Sequence, residues 1–352
     1  PLAHRMPKGL VFDSGPATHM NRPPLTCIRV PHRQLHQFVL NCAQNVGMPA
    51  GKAELLAQLL TTNDLRGIFS HGTRLIATYA RSMQRGSLNP SPEVRLVNET
   101  PVSMLLDGDG GLGYFPAYEG TLALIEKAKQ QGIAVLATRN HGHIGAAGIY
   151  ARLPLKHDLV TFVTSGHQLR LRPGESLFSA AGGSPMSFSA PAGAEEPLVL
   201  DFGTMHGFHS WNKSRDDLVR MVPGVALRGI GLGAVCQTWG GLLTGIPIDR
   251  SRAKRDYKEV TQGALVITFK IDLFIPPQQF RDEMDQYVRD ARSLKPLAGF
   301  DQSYLPGGVE AANERTYRQE GIPLGPEHQQ QLEDLADELG ISVPWRRRGG
   351  DH

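Results

Sequence analysis

The sequence predicts a layered α/β protein, and three observations carry that prediction. Short apolar runs alternate with longer stretches of helical spacing through the middle of the chain, glycine turns separate them, and 352 residues at 40% hydrophobic content supply one large core. A chain of this length buries roughly 75% of the surface its unfolded form exposes, so no disulfide or metal staple is required.

The front of the chain reads as mostly helical. Cys27–Val30 is a short extended run. Leu35, Phe38, Val39, Cys42 and Val46 then fall at helical spacing and stop at Gly47. Pro49-Ala50-Gly51 resets the chain before an amphipathic helix over Ala53–Leu65, and a third helix covers Arg74–Arg85. The middle changes character. Val94–Val97 and Val102–Leu106 read as strands, Tyr118–Gln131 as a helix and Ile133–Thr138 as a strand. A helix over Gly145–Leu155 follows, then strands at Leu159–Val163 and Leu198–Phe202. Arg228–Ile246 is an apolar helix weakened by Gly229, Gly231, Gly233, Gly240 and Gly241; those glycines suit close packing on a neighbouring subunit or burial within one. Leu265–Ile275 is strand-like, and helices at Pro277–Ser293 and Glu327–Leu339 close the chain. The expected division is a flexible leader at 1–24, a helical section at 25–90, an α/β core at 91–275, a C-terminal helical section at 276–345 and a tail at 346–352.

Composition excludes several functions. Net charge is 37 − 34 = +3, and no Lys/Arg block forms a nucleic-acid footprint; Arg346-Arg347-Arg348 reads as a frayed terminus. No run of about 18 apolar residues is present, so no transmembrane helix is expected. Cys27, Cys42 and Cys236 are odd in number and widely spaced, which suggests neither a disulfide scaffold nor a thiolate zinc site. Residues 1–24 lack an apolar stretch of signal-peptide length, and a cytoplasmic location is expected.

Three segments carry chemistry. Gly108, Gly110 and Gly113 spell GxGxxG between a strand and a helix, as a dinucleotide fingerprint does. The next strand ends at Arg139-Asn140 without the carboxylate that would hold a ribose hydroxyl, so the motif reads as a structural glycine turn. Ser70-His71-Gly72 lies between two helices. His71 suits a proton donor or base, because an unperturbed imidazole titrates near neutrality, while Ser70 equally suits a helix cap. Asn140-His141-Gly142-His143-Ile144-Gly145-Ala146 stands just past a strand and opens a helix, where free backbone N–H groups favour an anion. With His206 and His209 these histidines admit a zinc reading, but no nearby carboxylate completes a ligand spacing and no metal is expected.

The stretch NDLRGIFSHGTRLIATYARSMQRGSLNP, then LLDGDGGLG, then RNHGHIGAAGIYA resembles the malate/L-lactate dehydrogenase family that is unrelated to the Rossmann enzymes. GGSPMSFSAP, LVLDFGT, RGIGLGAVCQTWGGLLTG and LPGGVEAANERTYRQEGIPL continue the match in order, from about Ile28 to Pro344. That family includes ureidoglycolate, sulfolactate and 2,3-diketogulonate enzymes and the reductases of cyclic imino acids. The resemblance implies a three-layer α/β/α fold with a mixed central sheet, similar to sulfolactate dehydrogenase, and an NAD- or NADP-dependent homodimer acting on a small-molecule substrate. It implies a catalytic role for His71, with Ser70 and Asp201, and substrate contacts from Arg74, Tyr79 and His143. Cofactor contacts fall to His143, Gly145, Ala146, Ser184, Pro185, Arg228 and Gly229. The expected reaction is reduction of a 2-oxo acid or cyclic imino acid, or oxidation of a 2-hydroxy acid, with His71 supplying the proton; the alternative is a member repurposed for non-redox acid/base chemistry or ligand binding. The departures are specific. The family's substrate-clamping Arg, four residues after the histidine, is Leu75, and Arg74 stands one position early, about 100° away around a helix. The family's NxNHFG places Gly142 and Ile144 at its second Asn and its Phe, GTNP has Ser184 for Asn, and KGYG is Arg228-Gly229-Ile230-Gly231. The segment between Asp201 and Arg228 is shorter than the family's.

Overall fold

The computed structural model describes residues 23–205, 207–208, 215–297 and 300–347. The front section is β1 (Ile28–Val30), α1 (His32–Asn45), α2 (Ala50–Leu65) and α3 (Leu75–Gln84). Next come β2 (Arg95–Thr100), β3 (Ser103–Asp107), α4 (Tyr114–Gln131), β4 (Ile133–His141), α5 (Gly148–Arg152) and β5 (Leu159–His167). Then follow α6 (Phe178–Ala181), β6 (Pro185–Ala190), β7 (Leu198–Gly203), α7 (Arg215–Met221) and α8 (Pro223–Cys236). The chain continues through β8 (Gln262–Lys270), α9 (Pro277–Ser293), α10 (Gly308–Glu320), β9 (Ile322–Leu324) and α11 (Pro326–Leu339).

Seven strands form one sheet in the order β2-β3-β4-β8-β5-β6-β7, and only β3 and β4, joined through α4, run parallel. The sheet is therefore mixed. Register shows that both of its faces are covered. Gly120 lets α4 lie against Leu106 and Leu136, and Leu136 pairs with Val266 across β4 and β8. Gly263 is three residues from Val266 and so points to the opposite face, where it meets Thr244 and Gly240. Helices on both faces make three layers.

Several elements differ from the sequence reading. The strand β6 was not expected: its inward positions include Ser187 and Ser189, both buried, which hide the alternation from an apolar count. The helix α10 was also not expected, because of its residues only Gly308 and Tyr317 are fully buried. The two chain ends meet, with β1 antiparallel to β9 and Ile28 opposite Leu324. The helix expected at Gly145–Leu155 begins only at Gly148, since Gly145 takes a φ of +74°. The strand expected at Leu265–Ile275 ends at Lys270, and a tight turn over Ile271–Leu273 follows.

The helix expected at Arg228–Ile246 starts at Pro223 and widens into a π-type turn over Gln237–Leu242. Its glycines are spent inside the subunit. A Cβ on Gly240 would stand 2.5 Å from the Gly166 amide nitrogen, and one on Gly166 would stand 2.4 Å from that of Gly241, so bare backbone meets bare backbone. Gly240→Ala is expected to cost about 1–3 kcal/mol by overpacking. Gly231→Ala, where nothing lies within 4 Å, is expected to gain about 0.4–1 kcal/mol through the unfolded state. Chemical unfolding of both variants checks this pair; equal effects would contradict it. Among the described residues no single helix is long and apolar enough to cross a membrane.

Candidate active site

The turn that carries His71 is held from beneath by the last residues of α2. Asn63 Nδ2 donates to the His71 carbonyl at 2.8 Å. Asp64 Oδ2 accepts from the Thr73 amide at 2.9 Å and from the Thr73 hydroxyl at 2.5 Å. The same hydroxyl is 3.0 Å from His328 Nε2 on α11. Asp64 is fully buried, and burial pushes its carboxyl up to about 7. Its other oxygen, Oδ1, has no hydrogen-bond partner and lies against Gly72: a Cβ there would be 1.7 Å away. Ser70 does not cap α3. Its hydroxyl stands 2.9 Å from His71 Nδ1, and burial holds the His71 imidazole below its ordinary value.

A second imidazole meets the first. His143 follows β4, and its ring centre is 5.4 Å from that of His71. His143 Nδ1 shares a 2.6 Å hydrogen bond with the Tyr79 hydroxyl on α3, which is 3.2 Å from the Tyr114 hydroxyl at the start of α4. Burial pushes His143 down to about 3 and raises both phenols, so at neutral pH the imidazole is uncharged and the tyrosines keep their protons. Beside them opens a cavity of about 170 Å³, lined by Leu75, Thr78, Tyr79, Leu88, Leu112, Gly142, His143 and Glu259. His71 is not part of that wall. His141 belongs to the core: its Nδ1 donates to the Gly142 carbonyl at 2.8 Å, its Nε2 is 2.8 Å from Thr138 Oγ1, and burial pushes it down to about 4.

The remaining residues singled out by sequence stand apart from this group. Asp201 accepts from the Gly148 amide at 2.8 Å through Oδ2, capping α5, and burial pushes its carboxyl up to about 6. The anion site expected at the start of this helix is thus already filled by a carboxylate, and five residues make a weak dipole. Arg74 pairs with Glu327 at 3.4 Å and does not line the cavity. Gly145 lies under the Tyr114 ring, where a Cβ would be 2.3 Å from its hydroxyl, and Ala146 is buried. Ser184 accepts from Gln237 Nε2 at 2.7 Å and stands 3.4 Å from His167 Nδ1. Pro185 opens β6, its carbonyl accepting from Thr164 at 2.9 Å. Arg228 is exposed on α8, whereas Gly229 is buried under the Thr204 carbonyl. His206 and His209 lie outside the described residues.

The GxGxxG turn is packed solid. Added Cβ atoms at Gly110, Gly111 and Gly113 would meet Tyr257 at 2.3 Å, Pro92 at 2.3 Å and His141 at 2.5 Å, which leaves no cradle for a pyrophosphate. Sequence reasoning missed the roles of Asn63, Asp64, Thr73, Tyr114, Glu259 and His328. Only Asp64 gave a signal, as a carboxylate in the apolar last turn of α2.

Comparison with known proteins places this geometry. The family pattern described as malate/L-lactate dehydrogenase matches residues 30–206 and 213–333. A malate dehydrogenase of Pyrococcus horikoshii is 24% identical over 347 residues, covering 89% of this chain and 96% of its own. A ureidoglycolate dehydrogenase (NAD(+)) of Escherichia coli is 26% identical over 326 residues, covering 84% and 93%. The solved structure of malate dehydrogenase from Pyrococcus horikoshii OT3 superposes with a TM-score of 0.78 at 23% identity, covering 92% of this chain and 98% of that one.

Proposed function

Because the chain belongs to the malate/L-lactate dehydrogenase family, and is an enzyme of that kind, we propose that it transfers hydride between a nicotinamide cofactor and a small 2-oxo acid or cyclic imino acid, or runs the reverse oxidation of a 2-hydroxy acid. The observation that carries this reading is the pair of uncharged imidazoles, His71 and His143, with Tyr79 beside a closed-in cavity. Apolar walls from Leu75, Leu88 and Leu112 suit a flat ring and a small substrate. The cofactor supplies or takes the hydride. His71 exchanges the proton with the substrate, and His143, fixed by Tyr79, orients it.

The residues fit such a cofactor at its ring end, where the cavity offers a dry wall. At its phosphate end, Gly145 and Ala146 are sealed and the α5 amide is taken by Asp201, so the exposed Arg228 on α8 is assigned to the phosphates. Titration with NADH and with NADPH tests the reading: a ligand bound only by the native state raises the melting temperature. No response to either at millimolar concentration overturns it and leaves the non-redox alternative.

The same proposal includes a homodimer in the cytoplasm. Support comes from an apolar face on and beyond α8, where Leu227 is 64% and Leu243 67% exposed, and from Trp239 and Phe188, which reach each other across Phe162. The three cysteines are free thiols, as a reducing compartment keeps them. Sedimentation showing a monomer at micromolar concentration removes the dimer.

A further inference from the structure

We infer that Glu259, with Arg85 beside it, selects a substrate that carries a cationic nitrogen next to its carboxylate, so that of the two acceptors proposed above the enzyme is built for the cyclic imino acid. This rests on the oxidoreductase reading for the chemistry but not for the recognition.

A small monoanion such as a 2-oxo acid needs a cation in the wall that receives it, because a buried unpaired carboxylate is costly. The cavity has none among the described residues. Position 75, where the family resemblance implies a clamping arginine, is Leu75 and lines the cavity. The neighbouring cation, Arg74, is engaged by Glu327 at 3.4 Å and stands outside. His143 is uncharged. The charged group in the wall is instead the carboxylate of Glu259, and its own partner is Arg85 at 3.4 Å between Oε1 and Nη2, at the end of α3. The site thus presents one negative and one positive group a few ångströms apart. That pattern complements a zwitterion, whose nitrogen and carboxylate sit on neighbouring atoms, and repels a monoanion.

The reaction balances on this arrangement. His71 delivers a proton to the imine nitrogen, forming an iminium ion whose charge Glu259 stabilises. Hydride from the nicotinamide adds to the imine carbon, the C=N π pair moves onto nitrogen, and a cyclic secondary amine results; the cofactor is oxidised by two electrons and solvent restores the His71 proton. Glu259 acts on charge that develops at nitrogen, which an oxo acid never carries.

Calorimetric titration with L-proline and with cyclopentanecarboxylate isolates the nitrogen, since the two share a ring and a carboxylate. Measured on the full chain, alone and with saturating NAD or NADP, L-proline is expected to bind at least about tenfold tighter. Glu259→Gln should bring the two within about twofold while the protein unfolds normally. Leu75→Arg, which restores a cation to the wall, should shift the ratio at least about tenfold toward cyclopentanecarboxylate. The proposal is overturned if neither probe binds at millimolar concentration, if cyclopentanecarboxylate binds as well as L-proline, or if the preference survives Glu259→Gln. A preference for L-proline without any nicotinamide response would sink the redox reading and leave the recognition standing.

Discussion

His71→Ala is expected to lower kcat by about 10²–10⁴-fold with cofactor affinity nearly unchanged, the size seen when a positioned acid or base is removed. The imidazole is held by Ser70 at Nδ1 and by Asn63 through its backbone, while His143 stands between it and the cavity wall. His143→Ala should behave differently. It lines the cavity and carries the Tyr79 hydrogen bond, so its loss should weaken substrate or cofactor binding as well as turnover. The pH profile adds a second check. Burial lowers the His71 value below 6.5, so its protonated form is scarce at neutral pH. Reduction should therefore speed up as pH falls toward that value, and oxidation, which needs the neutral base, should persist below pH 6.5. Both limbs should vanish in His71→Ala. Equal, small effects from the two alanine variants would show that the histidines are structural.

Gly72→Ala should be the most damaging single-methyl change in the chain. The new Cβ would fall 1.7 Å from Asp64 Oδ1 and 2.4 Å from its Cγ, in a fully buried place with no room to yield. A loss of about 3 kcal/mol or more in unfolding free energy is expected, at the upper end for overpacking, together with displacement of His71 and loss of turnover. Asp64→Asn probes the same contact through pH. The folded chain keeps the Asp64 proton up to about pH 7, whereas the unfolded carboxyl releases it near 3.9. Stability tied to that proton is full at low pH and is lost as pH rises through 7. Relative to the native protein, the Asn variant should therefore gain about 2–3 kcal/mol between pH 5 and pH 8. The depressed histidines His141 and His143 act in the opposite sense, but they are present in both proteins and drop out of the difference. A pH-independent difference would refute the buried, protonated carboxyl.

Sequence alone determined the layered α/β class, most of the helices and the family, because these depend on local period and on ordered motifs. Leu35, Phe38, Val39 and Cys42 repeat on one face of α1 and are buried there. It also rejected the glycine fingerprint correctly, for lack of a carboxylate after β4. The tertiary structure alone decided which of two nearby histidines faces the cavity. His141 and His143 are two residues apart with nearly the same neighbours in sequence. Their fates differ because His141 ends β4 and is tied to Thr138 and Gly142, while His143 lies past the turn and reaches Tyr79. The glycines of α8 were legible as close packing but not as packing on β5, since their partner Gly166 is about 70 residues away in sequence and only the fold brings the two backbones together. The same reason hid Asp64 and Glu259. A carboxylate acquires its role from what it is buried against or what shares its cavity wall, and those neighbours, Thr73 and His328 for one and Arg85 and His143 for the other, come from elements that periodicity does not place together.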